Sequence, residues 1–392
     1  MTTYYISPSG SNSNNGLGPD ASHATNKPWL TLGMSMQSGT PVLPGDTVYI
    51  APGYYWNTSI TPVTSCANAA TQSLWIGDPL NKQGFKTATG TFLPAGVPRL
   101  LTRTSASGGI SGSNPNSGNY YMFSFYVNDP SGYKFQNLAM EAYGGIAYLD
   151  LDGSTDITFE DCFLAGTALF NTRNDRPATA GRNWTVRRST WLGGGGIIST
   201  NPNSASAATP DADLNILIEN NYIMYGFIGY SMFFGAATGN LAGGVYVYNN
   251  TIHPSYGILQ TSASKVSTVT PVHVKGNLIL GTVAFIAGTA GQIVDDGYNV
   301  WVGGGMNTGV PFTNVTLASS SILGPVANIV SSQFIKWGLD MPRNDIDGWA
   351  DYADPSFRFS NSGMVTSDFR IVRPRKSEVT IPELLNLKLG SA

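Results

Sequence analysis

Charge is scarce in this chain. Only 11% of its 392 residues are Asp, Glu, Lys or Arg, and they nearly cancel, to a net charge of −3. A protein that grips duplex nucleic acid needs a basic face against the phosphates, so no nucleic acid is expected as a partner. Long apolar runs are also lacking. None reaches the roughly 20 residues that a bilayer-spanning helix requires, so no membrane insertion is expected. Cysteine occurs only at Cys66 and Cys162, too few for a disulfide framework. The three histidines, His23, His253 and His273, have no metal-ligand spacing. No trio of carboxylates suggests a Ca²⁺ site: Asp150 with Asp152, and Asp295-Asp296-Gly297, read as polar turns beside strands. No metal or cofactor is therefore expected. Met1-Thr2-Thr3 runs straight into Tyr4-Tyr5-Ile6 with no basic and then apolar leader, which predicts synthesis in the cytoplasm without export.

What the chain does have is a repeat. Six copies of one pattern (apolar, any, apolar, any, small or polar pair, apolar) begin at Tyr133, Ile157, Trp184, Ile216, Val245 and Val272. Their last residues fall at 138, 162, 189, 221, 250 and 277, with steps of 24, 27, 32, 29 and 27 residues. Self-similarity at such a period signals stacked units, none able to bury its apolar face alone. The period inside each copy is two, so the copies are strands. Stacking them in parallel, about 4.8 Å apart, aligns Phe135, Phe159, Val186, Ile218, Val247 and Val274 as an internal row. Cys162, Ser189, Asn221, Asn250 and Asn277 then form a row at a bend, where Asn amides can bond backbone and one another; Cys162 is read there as a small buried filler. Gly145, Gly166, Gly196, Gly226, Gly257 and Gly281, each before a short apolar stretch, suggest a further row. An antiparallel sandwich gives no reason to keep one motif in register over six units.

The same stacking places Gln136, Glu160, Arg187, Glu219, Tyr248 and Lys275 in one outward column, and Lys134, Thr158, Thr185, Leu217, Tyr246 and His273 in the next. Two readings of these columns are open. Glu160 and Glu219 flanking Arg187 form a groove, with Tyr246, Tyr248 and His273 available for sugar stacking or proton transfer. Alternatively, the charges are a ladder of surface ion pairs worth little each.

The ends of the chain carry a resemblance. Tyr4-Tyr5-Ile6-Ser7-Pro8-Ser9-Gly10, Pro28-Trp29-Leu30-Thr31-Leu32 and Pro44-Gly45-Asp46-Thr47-Val48-Tyr49-Ile50 resemble the opening of right-handed parallel β-helix proteins of the pectate-lyase-like superfamily. Ala353-Asp354-Pro355-Ser356-Phe357 and Ser367-Asp368-Phe369-Arg370-Ile371 resemble the closing segment of many such proteins. The resemblance implies an all-β, single-stranded right-handed parallel β-helix with a short N-terminal capping helix, sealed by Leu32 and Met36. Residues 1–56 would be the cap and first coil, 57–345 the solenoid, and 346–392 the closing segment and tail. Leu74-Trp75-Ile76 is placed one turn after Val48-Tyr49-Ile50, residues 57–132 are assigned several early coils, and residues 104–119, 172–182 and 201–213 are read as excursions.

Many members of that superfamily cleave acidic polysaccharides, and the resemblance implies a catalytic set of Glu160, Arg187, Glu219 and Lys275 if this chain is an enzyme, with Ca²⁺ only if it is a lyase. The chain also resembles phage tailspikes and capsid decoration proteins. That resemblance implies a non-catalytic structural protein on the virion exterior, made in the host cytoplasm, assembled as a homotrimer and seated on partners such as the major capsid protein. A polysaccharide lyase or hydrolase acting as a tailspike depolymerase, and a non-catalytic carbohydrate-binding module contacting host-surface polysaccharide, are the alternatives.

Overall fold

A computed structural model describes residues 1–302, except 38, 57, 63–70, 103–120, 126–130, 143–144, 151–153, 167–169, 174–181, 194–197, 202–212, 225–229, 237–242, 254–256, 262–270, 281–284, 287–290 and 292, together with 316–318. The strands form three sheets in which every neighbour is parallel and separated in sequence by a full circuit of the chain. Sheet 1 holds ten strands: Thr3–Ile6, Thr47–Ile50, Ser73–Gly77, Tyr133–Gln136, Ile157–Glu160, Thr185–Arg187, Asp213–Glu219, Gly243–Tyr248, Val272–Lys275 and Ile293–Gly297. Sheet 2 also holds ten: Gly53–Tyr55, Pro98–Leu101, Ala139–Glu141, Phe163–Gly166, Thr190–Gly193, Tyr222–Met224, Thr251–His253, Leu278–Leu280, Val300–Val302 and Thr316–Ala318. Sheet 3 has seven, from Tyr121–Ser124 to Phe285–Ile286. From the coil of Ser73–Gly77 to that of Val272–Lys275, each coil visits the three sheets in turn. With the right-handed sense of parallel crossovers, the chain is a right-handed parallel β-helix.

The internal row is present as read from the sequence. Phe135, Phe159, Val186, Ile218, Val247 and Val274 are register partners in succession, and all are at most 2% exposed. Phe135 and Phe159 stack at 5.1 Å. At the bend between sheets 1 and 2, one residue per coil takes the left-handed conformation: Asn137, Asp161, Arg188, Asn220, Asn249, Gly276 and Tyr298, with φ from 49° to 64°. That turn swings the following side chain inward. Cys162, Ser189, Asn221, Asn250 and Asn277 are accordingly buried, and Asn299 extends the row by one coil. The Asn250 Nδ2 donates to Ile218 O and to Asn277 Oδ1, while its own Oδ1 accepts from the Asn221 backbone N–H and Nδ2. The same pattern repeats at Asn277 and Asn299. Burial pushes the Cys162 thiol up to about 12, as suits an inert filler.

Several expectations need correction. Where a short capping helix was expected there is a single 3-10 turn, Leu32–Ser35, and Leu32 and Met36 are buried. Trp29 is buried with them and stacks on Tyr4 at 5.1 Å. Val48 stacks on Trp75, and Leu74 pairs with Thr47, one residue from the expected register; this keeps the indole rather than Leu74 inside. Residues 57–132 supply one coil and not several, because Trp75 pairs directly with Phe135. An arm around residues 78–96 instead folds back toward the N-terminus, through Lys86–Asp20 at 2.8 Å and Phe85 edge-on to Tyr5. The glycines are not one row: Gly145 and Gly257 open strands of sheet 3, whereas Gly166 closes one of sheet 2. Asp295 and Asp296 lie within a strand rather than in a turn before one. Of the excursions, Thr172 and Arg173 end one strand of sheet 3 and Asn201 ends its neighbour, with Arg173 and Asn201 paired, so both depart from one corner. Residues 104–119, Gly196, Gly226, Gly281, Asp152, Cys66 and the closing segment 346–392 lie outside the described residues.

Candidate functional site

The outer face of sheet 1 carries the predicted columns, and the register confirms both orders: Gln136, Glu160, Arg187, Glu219, Tyr248, Lys275, and Lys134, Thr158, Thr185, Leu217, Tyr246, His273. Two separate constellations stand on them.

The first is centred on Glu160, which is only 5% exposed despite its outward position. Arg187 donates to Oε2 through Nε at 2.9 Å and Nη2 at 2.6 Å, and the Lys134 ammonium reaches the same oxygen at 2.9 Å. Arg188, one of the left-handed turn residues, bonds Oε1 and also pairs with Asp161 at 3.0 Å. Burial alone would raise the Glu160 carboxyl; the bonds and charges of Lys134 and Arg187 overcome it and hold the group at about 2. A carboxyl so stabilised as an anion neither donates nor accepts a proton near neutrality. Sequence reasoning placed Glu160 and Arg187 together. It missed Arg188, whose side chain reaches Glu160 only because its backbone is left-handed, and Lys134, which it assigned to the neighbouring column.

The second constellation lies beyond Glu219. Tyr246 and His273 stack at 5.1 Å with planes 15° apart, and Tyr248 meets Tyr246 edge-on at 5.8 Å. Tyr248 and His273 share Asp296 as a partner. Its Oδ2 accepts the Tyr248 hydroxyl at 2.9 Å and lies 3.1 Å from His273 Nδ1. Asp296 reaches them because the register slips: Val274 faces Asp295 but Lys275 faces Gly297, leaving Asp296 as the extra residue of a bulge. Burial, then the bond to Asp296, raise the Tyr248 hydroxyl above its ordinary range. Tyr246 and His273 cover one face of each other, leaving their edges and outer faces rather than an open platform. Inward of the bulge, Asp295 Oδ1 accepts from Gly297 N–H and Asn299 Nδ2.

Glu219 lies in register between Arg187 and Tyr248, but the Arg187 guanidinium is turned to Glu160. Lys275 is exposed, two strands further on. The expected quartet is therefore split, one ion-paired half and two residues outside it. A third patch, not singled out from the sequence, lies on sheet 2, where Tyr54 stacks on Trp56 at 5.4 Å and Arg99 covers Tyr54 while bonding Glu141. Among the described residues no group of three His, Cys, Asp or Glu is placed to hold a metal ion, and no helix is long and apolar enough to cross a membrane.

No family model and no curated protein matches the sequence. Among solved structures the chain is similar to the pectin methylesterase PemA from Erwinia chrysanthemi, at 10% identity over 83% of this chain and 95% of that one, TM-score 0.40. It is also similar to the pectate lyase Pel9A, at 12% identity over 81% and 78%, TM-score 0.35. A lacto-N-biosidase from Eubacterium ramulus matches at 8% identity over 81% and 67%, TM-score 0.37. Likenesses at this level say nothing about chemistry. Strand pairing and the repeated bend identify the architecture by themselves: the chain is a parallel β-helix.

Proposed function

We propose that this chain is a non-catalytic structural protein: a rigid coil displayed on the exterior of a phage particle, assembled as a homotrimer and seated on the major capsid protein. The observation that supports this reading is the state of Glu160. The carboxylate at the centre of the face where hydrolytic chemistry would sit is neutralised by Lys134, Arg187 and Arg188 and held ionised at about 2. Such a network braces neighbouring coils and offers no proton donor. The test combines mass measurement in solution, sedimentation with empty shells, and incubation with a panel of acidic polysaccharides. A trimer that binds shells and releases no fragments is the expected result. Chain cleavage that disappears in Glu219→Ala or Arg187→Ala overturns it.

A second reading, recognition or processing of a host-surface polysaccharide, is favoured by one specific feature. The bulge turns Asp296 outward to meet both Tyr248 and His273, and a carboxylate flanked by aromatic edges suits sugar hydroxyls. On this reading Asp296→Ala abolishes glycan binding while leaving the fold intact, as read by glycan-array binding alongside circular dichroism.

A further inference from the structure

One residue at the bend after sheet 1 departs from its row. Asn137, Asp161, Arg188, Asn220 and Asn249 are polar and Gly276 has no side chain, whereas the next, Tyr298, is aromatic. Its φ is 62°, a conformation that Asn or Gly adopts at less cost than a bulky residue. The fold gains no packing in exchange. Tyr298 is 76% exposed and lies outside the hydrophobic core, and its ring meets no other described ring. Nor does it belong to a wider apolar surface, since no other large hydrophobic residue described after Phe92 is exposed. An exposed side chain held at a backbone cost points to a role outside folding.

Tyr298 stands at the rim of the second constellation. Two residues before it, Asp296 accepts the Tyr248 hydroxyl and faces His273 Nδ1. One coil back the bend holds Gly276, and the exposed Asn249 amide leans into the place a side chain there would take. Charge nearby is sparse and of the wrong sign for an anion. Among the described residues the carboxylates are Asp296 and, on the other side of Tyr248, Glu219; the one cation between them is the exposed Lys275. Lys134, Arg187 and Arg188 are taken up by Glu160 and Asp161, and the Arg187 strand lies four spacings from that of Asp296, about 19 Å. We propose that this end of sheet 1 binds an uncharged glycan, with the C–H face of one pyranose on the Tyr298 ring and its hydroxyls donating to Asp296. The proposal rests on the reading of this face as a glycan-recognition site, and adds the class of sugar and the stacking residue. An open aromatic face suits the apolar side of a sugar ring, and a fixed carboxylate suits its hydroxyls. A uronate or sulfated sugar would set its anion against Asp296 and Glu219, with Lys275 alone to offset them.

The experiment is affinity electrophoresis of the full chain through gels carrying uronate polymers (polygalacturonate, alginate) or uncharged ones (galactan, mannan, dextran and the carboxyl-reduced uronates). Retardation is expected on uncharged gels alone, and equally at low and high salt, since no ion pair is screened. Tyr298→Gly is expected to weaken it at least tenfold and yet to unfold at higher denaturant than the parent, because glycine relieves the left-handed backbone. A ring held for structure would shift the unfolding midpoint the other way. Retardation confined to uronate gels, weakened by salt or by Lys275→Ala and lost in Asp296→Ala, overturns the proposal and leaves glycan recognition at this face standing. Retardation on uncharged gels that survives Tyr298→Gly overturns the stacking role of the ring. No retardation on any gel overturns the proposal together with the reading beneath it.

Discussion

The residue that repeats most faithfully is the one with positive φ. Seven successive coils turn from sheet 1 to sheet 2 through a single left-handed residue. Six of these are not glycine, although that conformation costs a residue with a Cβ about 1–2 kcal/mol. Asn and Asp bear it best, since their short side chains bond locally. Gly276 is the exception, and a Cβ there would lie 2.3 Å from Asn249 Oδ1, the end of an exposed side chain that would have to turn aside. Gly276→Ala is expected to destabilise by about 1–2 kcal/mol, whereas Asn220→Gly should be nearly neutral; denaturant titration distinguishes the two. The buried row beside the turn is worth more. Asn250→Ala strands the Ile218 carbonyl and the donors of Asn221, for an expected loss of about 3–5 kcal/mol, read from the unfolding midpoint.

Glu160 gives a pH prediction. Its folded value, about 2, lies below its ordinary 4.5. The stability it contributes is therefore complete above about pH 4.5 and is withdrawn as pH falls toward 2. Glu160→Gln should flatten that part of the acid-unfolding profile and cost about 1–3 kcal/mol at neutral pH. The internal row and the bend row were legible in the sequence because they rest on period two and on side-chain type. The partners of Glu160 were less so, since the reach of Arg188 depends on a backbone sign that no periodicity encodes.

At the scale of the element, the bulge in Ile293–Gly297 is the informative irregularity. Asn299 follows Asn277 after 22 residues, where the preceding steps are 24 to 32. The shortened step hid Asn299 from a search for the repeat, and the inserted Asp296 made a strand resemble a turn. Deleting Asp296 should restore an unbroken ladder with Val272–Lys275. The expected outcome is a coil of undiminished stability in which the Tyr248 hydroxyl, freed of its carboxylate partner, titrates at lower pH. Ultraviolet absorbance titration of the chain and the deletion variant checks this. The slip between Val48 and Trp75 has a similar cause: sequence spacing fixes which residues recur, but only core volume fixes which of two adjacent residues faces inward.

At the scale of the whole molecule, the described strands of each coil pair with those of the coils before and after it, so stability should be close to a sum of near-identical units and their interfaces. Removing one full period, residues 222–250, takes out the 29 residues that separate Asn221 from Asn250 and joins equivalent points of the bend. That chain should fold with an unchanged far-ultraviolet spectrum per residue. Removing half a period, residues 222–235, should leave an aggregating chain; size-exclusion chromatography separates the outcomes. The buried asparagines add a property that geometry alone would not. Their amides all donate in one sense, from Asn221 to Asn250, Asn277 and Asn299, and the last donates to Asp295. A file of aligned amide dipoles thus ends on an anion, as a helix macrodipole does when a carboxylate meets its positive end. The tube has an electrical polarity as well as a chain direction, and two such tubes set end to end would meet unlike poles only when they point the same way.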